Sequence, residues 1–142
     1  MNLLKAENVQ ILDHAADWKE AIIQSVLPLE KGGFVTEEYK KAVVANVEEF
    51  GPYICIAPHV AMPHARPEQG ALQTQVAVTL FREEVSFERE DARANLFIAL
   101  AAADSNHHLE ALMQISELLQ DEEKAEAMLH AADAAELYSY FA

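Results

Sequence analysis

The stretch Asn95-Leu96-Phe97-Ile98-Ala99-Leu100-Ala101-Ala102-Ala103-Asp104-Ser105-Asn106 decides the fold. By periodicity alone its apolar run fits either a buried strand or a buried helix. The polar residues that close it make the choice. Asp104-Ser105-Asn106 read as a helix start, so Asn95 to Leu100 is assigned to a strand that ends just before it. Upstream, Leu72 to Phe81 is long and rich in strand formers, and it is the best strand in the chain. Gln69-Gly70 mark a turn ahead of it, and Val85 to Phe87 reads as a short edge piece. Shorter strands are expected at Asn8–Leu12, Tyr53–Ile56 and Val60–Met62.

Helical patterns lie between these strands. Asp17 and Glu20 have capping-box spacing, and Trp18, Ile22, Ser25, Val26 and Leu29 share one face before Gly32-Gly33 end the helix. Thr36 can cap a second helix, with Glu37 and Glu38 in its first turn, where carboxylates suit the dipole. Its apolar face is Tyr39, Val43, Val47 and Phe50, and Gly51-Pro52 stop it. A third helix, about His107 to Leu119, is expected to bury Leu109, Leu112, Met113 and Leu119. Asp121 caps a fourth helix. Asp133 and Glu136 open a short last one, with Leu137, Tyr138 and Phe141 available for packing. Interleaved strands and helices without repeat or linker give one α/β domain over residues 1–142, a mixed central β-sheet flanked by helices on both faces.

Composition excludes several function classes. A chain of 142 residues suits one domain with its own core. Its net charge is −14, from 24 acidic and 10 basic residues. No Lys/Arg cluster is present to grip a phosphate backbone or an anionic membrane. The one cysteine, Cys55, allows no internal disulfide, and its apolar neighbours point to a buried, inert thiol. The N-terminal residues show no signal-peptide core. The longest strongly apolar run, Leu96 to Ala103, is too short to span a bilayer, so a cytoplasmic location is the default expectation.

Six histidines could carry chemistry: His14, His59, His64, His107, His108 and His130. His14 and His130 have no informative neighbours and read as surface or cap residues. His64 stands in Met62-Pro63-His64-Ala65-Arg66-Pro67. Each proline fixes its own φ and pushes the residue before it towards extended backbone. The segment is therefore stiff. A neutral imidazole held this way is a competent nucleophile near neutral pH, although a loop histidine with one satisfied hydrogen bond would fit the same residues. His108 falls in the first turn of the helix that Asp104, Ser105 or Asn106 would cap. The positive end of the dipole keeps such a ring neutral and favours an anion nearby. Arg66 lies two residues after His64, on the same face of an extended segment, where it could contact phosphate oxygens or remain a solvated ion pair. His59, His64, His107 and His108 could also supply metal ligands, but no His-Glu-x-x-His helix and no closed Cys/His set is present.

With these residues in place a family becomes visible. Glu49 and then Ile56-Ala57-Pro58-His59-Val60-Ala61-Met62-Pro63-His64-Ala65 resemble the active-site signature of the fructose/mannitol-type (type 2) enzyme IIA domains of the bacterial phosphoenolpyruvate-dependent sugar phosphotransferase system. The likeness continues through Leu72–Phe81 and Leu96–Asp104 into Asn106-His107-His108-Leu109. Within the family, Gly51–Pro58, Met62–Glu68 and Met113-Gln114-Ile115 with Asp121-Glu122-Glu123 look closest to ascorbate-type members. The resemblance implies that His64 accepts a phosphoryl group from the phosphocarrier HPr. It would pass that group to a cysteine of a IIB component, which serves sugar uptake through the IIC permease. It implies that His108 is the second histidine, with His107 as the alternative one register away, and that no metal or organic cofactor is required. Mannitol-type members carry an arginine in the helix before the signature. Ala45-Asn46-Val47-Glu48-Glu49-Phe50 has none, which leaves Arg66 as the nearest candidate. His59 stands where a small residue is common. Some relatives of this fold report phosphorylation state instead of feeding a transporter, and a regulatory role is therefore a second reading.

Overall fold

The computed structural model describes residues 2–89 and 91–142. The elements run β1 (Leu4–Leu12), α1 (Trp18–Lys31), α2 (Glu37–Phe50), β2 (Cys55–Ala57), β3 (His59–Ala61), β4 (Gln75–Ser86), β5 (Arg93–Ala101), α3 (Ser105–Leu119), α4 (Glu122–Leu129) and α5 (Ala134–Ser139). The strands form a five-stranded sheet in the order β1-β4-β5-β3-β2. The sheet is mixed: β1 with β4 and β3 with β5 are parallel, whereas β4 with β5 and β2 with β3 are antiparallel.

Side-chain alternation along the central strands builds two cores. Ala77 and Phe81 of β4, with Phe97, Ala99 and Ala101 of β5, point to the face covered by α1 and α2. Val76, Val78 and Leu80, with Leu96, Ile98 and Leu100, point to the face covered by α3, α4 and α5. Burial on both faces explains why Asn95–Leu100 reads as an unbroken apolar run without period. Helices therefore cover both faces, as the sequence indicates.

The local start signals act as expected. Asp17, Asp104, Asp121 and Asp133 each accept the backbone N–H three residues on, from Glu20, His107, Lys124 and Glu136. Thr36 holds the cap position of α2, but its side chain makes no cap bond.

Other expectations are corrected. Tyr53–Ile56 is not the strand: Tyr53 and Ile54 lie in a turn, and β2 begins at Cys55. The Val85–Phe87 piece is no separate edge strand, because β4 runs on without a break through Ser86 and pairs there with Arg93. Leu72 lies outside β4 and is exposed. In α3 the buried residues are Ala111 and Ile115, while Leu109 is 58% and Met113 64% exposed. Ala111 and Ile115 lie one turn apart on the buried stripe of α3, and Leu109 and Met113, each two residues from Ala111, fall on the outward side. Phe50 is likewise 68% exposed.

One glycine fixes how α2 meets the loop that follows β3. That loop contains a 3-10 turn at Pro67–Gln69, closed by Gly70 at φ +130°. The Thr36 N–H donates to the Gly70 carbonyl at 2.9 Å. A Cβ on Gly70 would stand 2.5 Å from Thr36 Oγ1 and 3.2 Å from the Tyr39 nitrogen. Gly70→Ala is expected to cost about 2–4 kcal/mol from backbone strain plus overpacking. Urea denaturation checks this, and an unchanged midpoint would contradict it.

Candidate functional site

His64 sits at the carboxyl end of β3, and β5, the parallel neighbour of β3, leads at its own carboxyl end into α3 and His108. Ligands of open α/β sheets gather in such a crevice at strand carboxyl ends. The rings of His64 and His108 are 5.3 Å apart between centroids, at 55°. An open pocket of about 500 Å³ is lined by both, together with Asn46, Phe50, Tyr53, Ala65, Arg66, Pro67 and Ser105.

The backbone around His64 is held at every step. The Met62 N–H donates to the Ile54 carbonyl at 2.7 Å, and the Leu100 N–H to the Pro63 carbonyl at 2.9 Å. The Tyr53 hydroxyl donates to the His64 carbonyl at 2.5 Å. The Ala65 N–H donates to the Tyr39 hydroxyl at 3.0 Å, and that hydroxyl donates to the Leu100 carbonyl at 2.7 Å. Proline stiffness is thus one part of the rigidity, and two tyrosines with the backbone bonds to Ile54 and Leu100 add to it.

The side chain is equally constrained. His64 Nδ1 lies 2.6 Å from the Met62 carbonyl oxygen. A carbonyl only accepts, so Nδ1 carries the proton and Nε2 of the neutral ring is bare. The Tyr53 ring meets the imidazole edge-on at 5.2 Å and 87°. Burial holds the His64 pKa below its ordinary value; the Met62 bond opposes this in part, and repulsion from His108 adds to it. Burial likewise lowers His108. Its Nδ1 is buried without a protein partner.

The other candidates are placed differently. Arg66 lines the pocket, but its side chain is 71% exposed and its Nε lies 3.3 Å from Glu68 Oε1. His107 is outside the pocket lining. Its Nδ1 lies 2.8 Å from Asp104 Oδ1 and Oδ2, and that bond raises its pKa. His108, not His107, is therefore the histidine brought to His64. His59 begins β3 at the end remote from His64, at φ +65°, with Nδ1 3.0 Å from Glu84 Oε2. Glu49 is exposed on α2 and does not line the pocket. Cys55 is half-buried, and burial pushes its thiol up to about 11, which keeps it inert. Among the described residues, no group of three or more His, Cys, Asp or Glu is arranged to hold a metal ion. Among the described residues, no helix is long and apolar enough to cross a membrane.

Sequence reasoning treats Tyr39 as core and Tyr53 as strand, and gives Asn46 no role. A tyrosine on a buried helix face is the signal for the first, because a buried phenol needs a hydrogen-bond partner. Asn46 Nδ2 donates to Gln69 Oε1 at 3.1 Å, and the same oxygen accepts the Arg66 N–H at 2.9 Å. This braces the turn after His64.

The pKa directions set a pH dependence. Above their folded pKa values both site imidazoles are neutral, and His64 Nε2 keeps its lone pair. As pH falls below about 6.5, the unfolded chain binds protons at these positions before the native state does, so stability falls with pH in that window. The ring protons of His64 and His108 are expected to titrate below free histidine, and those of His107 above it. An NMR titration that reverses this order would contradict the geometry.

Comparison with known proteins identifies the family. Residues 2–142 match the family model described as "Phosphoenolpyruvate-dependent sugar phosphotransferase system, EIIA 2". The chain is 40% identical over 130 residues to the mannitol-specific cryptic phosphotransferase enzyme IIA component of Escherichia coli K12, covering 92% of this chain and 88% of that protein. The solution structure of that E. coli component superposes with a TM-score of 0.93 over 99% of this chain and 95% of that one. The ascorbate-specific EIIA component of the same strain is 36% identical over 124 residues, covering 86% of this chain and 80% of that protein. The complex of enzyme IIA mannitol with phosphorylated enzyme IIB mannitol from E. coli superposes with a TM-score of 0.81 at 29% identity, covering 98% of both chains. The chain belongs to the type 2 EIIA family of the phosphoenolpyruvate-dependent sugar phosphotransferase system, and is a phosphotransferase component.

Proposed function

We propose that the chain carries a phosphoryl group on His64 Nε2, taking it from phospho-HPr and delivering it to a cysteine of a IIB component during sugar uptake. The observation that carries this reading is the fixed tautomer of His64: Nδ1–H is tied to the Met62 carbonyl, Nε2 is left bare, and the His108 ring stands 5.3 Å away between centroids.

The Nε2 lone pair attacks phosphorus as the bond to HPr breaks and its electron pair leaves with HPr. The His64 ring then has both nitrogens substituted and is cationic. The Met62 carbonyl, already facing Nδ1–H, stabilises that charge. In the second step a IIB thiolate attacks phosphorus, and the pair of the P–N bond returns to Nε2. No proton need leave Nδ1 in either step. Catalysis in phosphoryl transfer is mostly positioning and charge stabilisation. His108, with its proton on Nε2, is the neutral donor to the phosphoryl oxygens, and Arg66 supplies positive potential after swinging from Glu68. His107 is bound to Asp104 and contributes only at the helix start.

The mannitol IIA complex with phosphorylated IIB supports a IIB acceptor. On the sugar, the stretches 51–58 and 62–68 favour ascorbate, and overall identity is higher to the mannitol-specific relative. IIA meets proteins and not the free sugar, so the IIB that discharges it names the substrate.

The test is incubation with phosphoenolpyruvate, enzyme I and HPr. The expected product is one acid-labile phosphate per chain, mapped to His64, and discharged by either an ascorbate-type or a mannitol-type IIB. Absence of label, or label on another residue, would overturn the reading.

A further inference from the structure

Tyr39 is completely buried on α2, 26 residues before Ala65 and 61 before Leu100 in the chain. Its hydroxyl has three backbone contacts, the longest to the Ala65 carbonyl at 3.3 Å. It accepts the Ala65 N–H at 3.0 Å and donates to the Leu100 carbonyl at 2.7 Å. The Leu100 N–H in turn donates to the Pro63 carbonyl at 2.9 Å. The peptides on both sides of His64 are thus fastened to one residue of β5, directly through Pro63 and through the Tyr39 hydroxyl at Ala65. Leu100 stands four residues before Asp104, the cap of the helix that presents His108.

We propose that Tyr39 is a positioning residue whose hydroxyl sets the spacing between His64 and His108. The inference rests on the phosphoryl-carrier reading. A phenylalanine would fill the same apolar space between the helix and the sheet. The hydroxyl adds nothing to that packing, and a buried hydroxyl is costly unless bonded. Its partners belong to the two chain segments that carry the site histidines. Without it, the Ala65 N–H loses its partner and the loop is held to β5 on one side only; the Tyr53 hydroxyl still holds the His64 carbonyl, but His64 can shift relative to β5 about the Pro63 anchor. Small displacements of a reacting group cost rate steeply: about 1 Å of misplacement can cost 10²-fold.

The experiment uses the full chain with Tyr39→Phe, His108→Ala and the double substitution, at a temperature well below unfolding of each. Tyr39→Phe is expected to lower the maximal rate of phosphoryl delivery to IIB by about 10- to 100-fold, with KM for IIB held within about twofold. The double variant is expected to match His108→Ala within about twofold, since spacing loses its meaning once one partner is gone. By NMR, Tyr39→Phe weakens the His64–His108 ring-to-ring Overhauser contacts and moves the His64 midpoint up towards free histidine. A purely structural role would lower the melting temperature and leave rate, midpoint and ring contacts unchanged, and that result overturns the proposal. Multiplicative rate losses in the double variant overturn it as well. The NMR arm needs no phosphoryl donor. A wild-type chain that takes up no label therefore refutes the carrier reading, while the ring contacts still decide whether Tyr39 sets the spacing. If Tyr39→Phe does not fold, 3-fluorotyrosine placed at 39 keeps ring and hydroxyl but alters donor strength. Shifted His64 and His108 ring signals then support the proposal, and unmoved signals overturn it.

Discussion

His64→Ala is expected to take up no phosphate from phospho-HPr, a complete and not a partial loss. No other histidine offers the same atom. His107 is held in an ion pair with Asp104 that favours its charged, non-nucleophilic form. His59 is bonded to Glu84 at the far end of β3. His108 lacks the carbonyl that fixes the tautomer of His64, since its Nδ1 has no protein partner. The fold survives the substitution. The side chain sits in a loop, only partly buried, and its loss removes one hydrogen bond, worth about 0.5–1.5 kcal/mol. Mass spectrometry of the intact chain under alkaline conditions, where phosphohistidine persists, is the direct measurement. A His64→Ala chain that still gains phosphate would refute the assignment.

His108→Ala keeps the nucleophile and loses its neighbour. It is expected to accept phosphate, but to deliver it to IIB about 10²–10³-fold more slowly, the cost of one donor aimed at developing charge. His108→Gln, which keeps an N–H donor of similar reach, recovers part of that loss. The substitution also removes repulsion acting on His64 and opens its surroundings to water. The His64 midpoint consequently rises towards about 6.5. Rapid-quench kinetics of the two half-reactions, with an NMR titration of His64, check both parts. Equal rates for His108→Ala and wild type in the second half-reaction would remove His108 from the site.

Much of this is written locally in the chain. Asp104 as a cap, the apolar run before it and the His64 segment between prolines are all decided within a few residues, and the structure keeps each of them. The pairing of His64 with His108 is less local, yet a histidine in the first turn of a capped helix marks one side of it. What could not be read is set by partners remote in sequence. The hydroxyl of Tyr39 meets Leu100, 61 positions further along the chain. The outward turn of Leu109 and Met113 depends on which stripe of α3 meets the rest of the fold, and Ala111 with Ile115 takes that place although hydrophobicity alone ranks alanine below leucine. The extension of β4 through Ser86 comes from pairing with Arg93 and Ala94, past a register shift between Leu80 and Val85. Arg66 follows His64 on extended backbone and lines the same pocket, but its guanidinium pairs with Glu68, a partner that the interval from His64 does not reveal.

The engagement of Nδ1 by Met62 has a kinetic consequence. With one ring nitrogen occupied by the protein itself, only one direction of approach remains, and donor and acceptor must use it in turn. No ternary complex of donor, carrier and acceptor can be productive. Initial-rate plots at several fixed acceptor concentrations should therefore give parallel lines, and unphosphorylated donor in excess should compete with IIB for the charged carrier.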